Sequence, residues 1–134
     1  MESKSPVIAL VDDDVIFQLT ASRTIKAAHI TDRILQFENG EDALGFLKTY
    51  AGNSDILPDV IFLDINMPIV DGWMFLEDYD GLKKNFAKPI IVYMVSSSID
   101  PRDIDRAKRN TNVKDYVVKP VSREKFIELL QQAA

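Results

Sequence analysis

Short runs of purely apolar residues recur along this chain, separated by stretches whose apolar residues fall at helical spacing. That alternation limits the fold more than any other feature. Residues 7–11 (Val-Ile-Ala-Leu-Val), 60–63 (Val-Ile-Phe-Leu) and 90–95 (Ile-Ile-Val-Tyr-Met-Val) are unbroken apolar runs. A strand that is apolar at every position is buried on both faces. Residues 33–37 and 116–118 read as two further strands. Between the runs, Phe17, Ala21, Ile25 and Ala28 mark one helix face, and Ala43, Leu44, Leu47 and Tyr50 another. Leu76, Tyr79 and Leu82 suggest a short helix, and Phe126, Leu129, Leu130 and Ala133 a final one turned inward.

The punctuation agrees with this reading. Asn39 before Gly40 is a good N-cap, because its side chain accepts an orphan backbone N–H. Asp100-Pro101 starts a helix with a cap and a proline at the first helical position, though that helix is only weakly amphipathic. Ser122 caps the last helix. Residues 52–58 read as a loop and 67–72 as a turn. The order is βα five times over, which predicts an α/β fold with a doubly wound, five-stranded parallel sheet. No repeat, low-complexity tract or linker interrupts it, so residues 1–134 are expected to form a single domain.

Composition narrows the function. The chain is 46% hydrophobic and 28% charged, which excludes a disordered or fibrous chain. With 16 Lys and Arg against 21 Asp and Glu, the net charge is −5. Neither nucleic acid nor an anionic lipid surface is an expected partner. Residues 90–95, the longest apolar run, are far too few to span a membrane, and residues 1–6 contain no secretory apolar segment. There is no cysteine, hence no disulfide or thiol chemistry, which suits a cytoplasmic setting.

Open parallel sheets place their sites at the carboxyl ends of the strands. Here those ends carry Asp12-Asp13-Asp14, Asp64, Ser96-Ser97-Ser98 and Lys119-Pro120. Several carboxylates crowded on one rim repel, so some must protonate or take up a cation. A hard oxygen site with few protein ligands suits Mg²⁺. Lys119 alone does not balance the acids. A carboxylate in such a setting can attack phosphorus to form an aspartyl phosphate, a reaction that needs mainly charge neutralisation and in-line positioning.

These residues resemble the receiver domain of two-component response regulators. The resemblance rests on Val11-Asp12-Asp13, on Leu63-Asp64-Ile65-Asn66-Met67-Pro68 with Asp71-Gly72, on Val95-Ser96-Ser97, and on Tyr116-Val117-Val118-Lys119-Pro120. Separations of 51 residues from Asp13 to Asp64, 32 on to Ser96 and 23 on to Lys119 are similar to the family's. It covers nearly the whole chain and implies a flavodoxin-like (βα)5 sheet in the order 2-1-3-4-5. It implies that Asp64 accepts a phosphoryl group from a phosphohistidine. Asp12, Asp13, Asp64 and the backbone carbonyl of Asn66 would bind Mg²⁺ or Mn²⁺, Asp12 mostly through water. Lys119 and the backbone N–H of Ser97 would contact phosphoryl oxygens. Ser96 would swing inward as the switch hydroxyl, and Tyr116 would change exposure with it. The Lys119-Pro120 bond would be cis. Asn66 and Ser98 would tune dephosphorylation. Position 96 more often carries Thr, and the role of Asp14 stays open.

The partners implied are a sensor histidine kinase or a histidine phosphotransfer protein. The face of the last two helices with Tyr116 would bind a downstream target or a second copy. The last predicted helix ends the chain, so no output module is expected after it; the receiver part of a longer protein is the other possibility. The implied role is a signalling switch rather than an enzyme. A phosphatase of similar chemistry would need a second Asp at Asn66. A phosphate-binding flavodoxin would not carry three acids after its first strand. A receiver-like module that binds partners without phosphorylation is the alternative. Plainer roles are also open: Asp12 to Asp14 as a helix N-cap with first-turn acids, His29 as a cation at a helix end, Trp73 as packing. Arg102, Arg106, Lys108 and Arg109 read as a solvated helix face.

Overall fold

A computed structural model describes residues 5–133, with Ala133 described in its backbone only. Five strands alternate with five helices. They are β1 (Ile8–Val11), α1 (Val15–Ala27), β2 (Ile34–Phe37), α2 (Gly40–Thr49), β3 (Val60–Leu63), α3 (Gly72–Leu82), β4 (Ile91–Ser96), α4 (Pro101–Arg109), β5 (Val113–Val118) and α5 (Arg123–Ala133). All pairings are parallel, in the order β2-β1-β3-β4-β5. This is the expected α/β, flavodoxin-like sheet.

Each apolar run feeds two cores. Ala9, Val11, Ile61 and Leu63 point to one face, where α2, α3 and α4 cover them through Leu47, Phe75, Leu76 and Ala107. Ile8, Leu10, Val60 and Phe62 point to the other, under Ile25 of α1 and Phe126 and Leu129 of α5. Alternate side chains of a strand face opposite ways, so a run buried on both faces has to be apolar throughout. Phe62, Tyr93 and Phe126 form an aromatic group in the second core, with centroids 5.7 and 5.4 Å from Phe62.

The expected caps are in place. Asn39 accepts the N–H of Asp42 at 2.7 Å, Asp100 that of Arg102 at 2.9 Å, and Ser122 that of Lys125 at 3.0 Å. His29 serves the end of α1 through its backbone. At φ 57 its N–H returns to Lys26 O and that of Ile30 to Ile25 O, the pairing that closes a helix with a left-handed residue. α4 buries Ala107 alone and turns Arg102, Arg106, Lys108 and Arg109 outward. Trp73 packs at the start of α3, and the Arg106 guanidinium lies 4.3 Å above its ring.

One strand is longer than its sequence suggests. β5 begins at Val113, three residues before the expected start, and an irregularity opposite Val92 and Tyr93 lets Lys114 bulge out. β5 is an edge strand, so Lys114 and Asp115 reach water there and interrupt the apolar signal. The expectations for residues 1–4, Ala134 and the Ala133 side chain fall outside the described residues. Among the described residues, no helix is long and apolar enough to cross a membrane.

Candidate functional site

The parallel register brings the strand ends into line. Val11 lies between Phe37 and Leu63, and Leu63 pairs with Met94. The ladder continues one residue further at each end. Asp12 N–H reaches Phe37 O at 3.0 Å, Asp64 N–H reaches Val11 O at 2.9 Å, and Lys119 N–H reaches Ser96 O at 2.9 Å. These strand-end residues therefore sit on strand backbone or its direct extension, and their spacing is that of the sheet.

The side chains of Asp12, Asp13 and Asp64 converge, with one carboxylate oxygen of each within 4.8 Å of the others. Asp12 and Asp64 are buried and Asp13 is exposed. Lys119 closes the group, its Nζ 2.8 Å from Asp12 Oδ2 and 4.6 Å from the centre of the Phe17 ring. Asp14 does two things. Its Oδ1 accepts from Ile16 N and Phe17 N as the cap of α1, and its Oδ2 lies 3.7 Å from Lys119 Nζ. The Lys119-Pro120 bond is cis.

The electrostatics are those of crowded acid. Burial pushes the Asp64 carboxyl up to about 7, the neighbouring Asp12 adds to the rise, and Lys119 opposes it. Burial raises Asp12 as well, against the pull of the Lys119 ammonium. A raised carboxyl is one that its surroundings hold back from carrying its charge. Three convergent carboxylates with one ammonium fit a hard divalent cation, which would offset the charge that burial penalises.

On the other side of the rim, Ser96 is buried and Ser97 exposed. The Ser96 hydroxyl accepts the N–H of Ser98 at 3.1 Å. Tyr116 is half-buried, packed against the α3–α4 side of the core, and its hydroxyl donates to Ser98 O at 2.8 Å. Asn66, the expected source of a carbonyl ligand, is exposed beyond Asp64.

Two residues support the site in ways the sequence reading does not give. Gln18 is buried in α1, and its Nε2 faces three carbonyls, those of Leu10, Asp12 and Phe37, at 3.0 to 3.1 Å. It ties the ends of β1 and β2 together behind Asp12. Its spacing of three and seven from Ala21 and Ile25 was the available signal. Gly72 is the second. A Cβ there would lie 2.5 Å from the Asp64 carbonyl oxygen and 2.9 Å from Ile65 Cα. Gly72 N–H bonds Ile65 O at 2.8 Å. α3 thus starts directly against the backbone that carries Asp64.

Comparison with known proteins finds relatives of the whole domain. Residues 8–131 match the model of the response regulator receiver domain. A probable methanogenesis regulatory protein of Methanothrix harundinacea is 32% identical over 125 residues, which cover 92% of this chain and 79% of that one. The chemotaxis protein CheY of Listeria monocytogenes is 29% identical over 128 residues, 93% of this chain and 96% of that one. The crystal structure of a two-component response regulator from Cytophaga hutchinsonii superposes with a TM-score of 0.86 at 28% identity, covering 98% of both chains.

Proposed function

The chain belongs to the response regulator receiver family, and we propose that it is the phosphoryl-accepting switch of a two-component or phosphorelay pathway. The observation that carries this reading is the convergence of Asp12, Asp13 and Asp64 beside Lys119. A carboxylate oxygen of Asp64 attacks the phosphorus of a phosphohistidine. The O–P bond forms as the P–N bond breaks, and the donor imidazole leaves with the electron pair and takes up a proton. Attack by water on the same phosphorus later releases phosphate and restores Asp64.

In this reading Asp12, Asp13, Asp64 and the Asn66 carbonyl would hold Mg²⁺ or Mn²⁺, which would supply positive charge against the carboxylates and the phosphoryl oxygens. Lys119 exchanges its pairing with Asp12 for a phosphoryl oxygen. The Ser97 N–H donates to another, and the Ser96 hydroxyl turns to a third. Tyr116 follows Ser96, which changes the surface formed by α4, β5 and α5, and that surface binds a target or a second copy. Residues 1–134 act as one domain in the cytoplasm, without turnover of a separate substrate and without nucleic acid or membrane insertion.

The donor is a protein, a sensor histidine kinase or a histidine phosphotransfer protein. What supports a protein donor is the apolar rim: Val15, Ile16, Ile69 and Ile99 are 68 to 82% exposed on the segments that surround the acids. Intact mass after incubation with a small phosphodonor and Mg²⁺ tests the reading. One phosphoryl group is expected on the wild type and none on Asp64→Asn or on metal-free protein. If neither a small donor nor a phosphohistidine protein adds mass, a phosphorylation-independent binding module replaces the switch.

A further inference from the structure

One residue ties down the loop from β4 to α4. Ser98 follows the buried Ser96 by two positions, and all its polar groups have partners. Its N–H donates to Ser96 Oγ at 3.1 Å. Its hydroxyl donates to Asp103 Oδ2 at 2.7 Å and accepts the N–H of Asp100 at 3.2 Å. Its carbonyl accepts from the Tyr116 hydroxyl at 2.8 Å. The end of β4, the first turn of α4 and the middle of β5 thus meet at Ser98.

The contact with Asp103 is not needed to cap the helix. Asp100 already caps α4 by accepting the Arg102 N–H. The Asp103 carboxylate reaches back out of the helix to Ser98 instead. A hydroxyl-to-carboxylate bond of this length between two half-buried groups is among the stronger kinds of side-chain contact.

We propose that Ser98 and Asp103 are positioning residues that hold Ser96 in its resting place, so that their bond sets how readily the Ser96 hydroxyl turns to a phosphoryl group on Asp64. This rests on the acceptor reading above. To reach a phosphoryl oxygen, Ser96 Oγ has to swing away from the Ser98 N–H. Asp103 and Tyr116 hold the Ser98 N–H in line with Ser96 Oγ, and that N–H to Oγ bond is made only in the resting state. Freeing Ser98 weakens it and so favours the phosphoryl-bound state.

Beryllofluoride, which mimics a phosphoryl group on a carboxylate, tests this by calorimetry at saturating Mg²⁺. Asp103→Ala and Ser98→Ala are each expected to bind it roughly threefold to tenfold more tightly than wild type, the factor an ordinary net hydrogen bond supplies. The double variant should gain less than the product of the two factors, because both remove one shared bond. Asp105→Ala, which removes an exposed acid of the same helix paired with Arg109, should leave the affinity unchanged. Equal or weaker binding by both Asp103→Ala and Ser98→Ala, with wild-type binding intact, overturns the latch and spares the acceptor reading. So does an equal gain in Asp105→Ala, which would make the effect one of net charge. Failure of the wild type to bind beryllofluoride overturns the acceptor reading and the latch with it.

Discussion

At the scale of single residues, burial decides which polar groups matter. Tyr79 is 3% exposed at the α3–β4 side of the core, and burial pushes its phenol up to about 12. The unfolded phenol ionises near its ordinary value of 10. Between those values the unfolded chain releases a proton that the folded chain keeps. Stability from this group is thus complete below pH 10 and falls as pH rises towards 12. The loss amounts to roughly 2–3 kcal/mol across that window. Urea midpoints of Tyr79→Phe should fall less than those of wild type between pH 9 and pH 11.5. Legibility also divides by residue type. Asp12, Asp13, Asp64 and Lys119 could be picked out of the sequence because each follows an apolar strand. Gln18 carried only a weak signal, its register with Ala21 and Ile25, because a glutamine among helix residues normally reads as solvated. Only the three carbonyls facing its amide explain its burial. The partnership of Ser98 with Asp103 spans a loop and a helix turn that no periodicity links.

At the scale of elements, the strands covered on both faces read as unbroken apolar runs, and of the two edge strands β2 was read nearly whole and β5 only in part. β1, β3 and β4 are buried nearly throughout and appear as apolar runs. β5 lies at an edge with Lys114 and Asp115 in water, so only its last three residues looked like strand. Helix starts were legible because caps are local chemistry. How closely α3 sits against β3 was not, since Gly72 reveals its purpose only through the 2.5 Å approach of an added Cβ to the Asp64 carbonyl. Gly72→Ala should push α3 and the end of β3 apart. A loss of about 1–3 kcal/mol is expected by urea unfolding, as for other overpacked sites. Phosphorylation of Asp64 should slow in the same variant, while a Gly45→Ala control, where an added Cβ meets nothing within 4 Å, should keep the wild-type rate.

At the scale of the whole molecule, the fold is a sheet with a separate apolar core on each face. The acids and Lys119 gather at one end of that sheet, on backbone that continues the strand ladder. The opposite end carries connections such as residues 50–59, where an added Cβ at Gly52 meets nothing within 4 Å. Chemistry anchored to strand ends owes little to the length of the loops at the far end. Two or three glycines inserted between Gly52 and Asn53 should lower stability by about 0.6 kcal/mol or less per doubling of that loop. The rate of phosphoryl uptake from a small donor, measured by intact mass, should not change. The chain can therefore be treated as a socket with a free back. A fluorophore, a tether or a second domain grafted at residue 52 would ride on the switch without entering it.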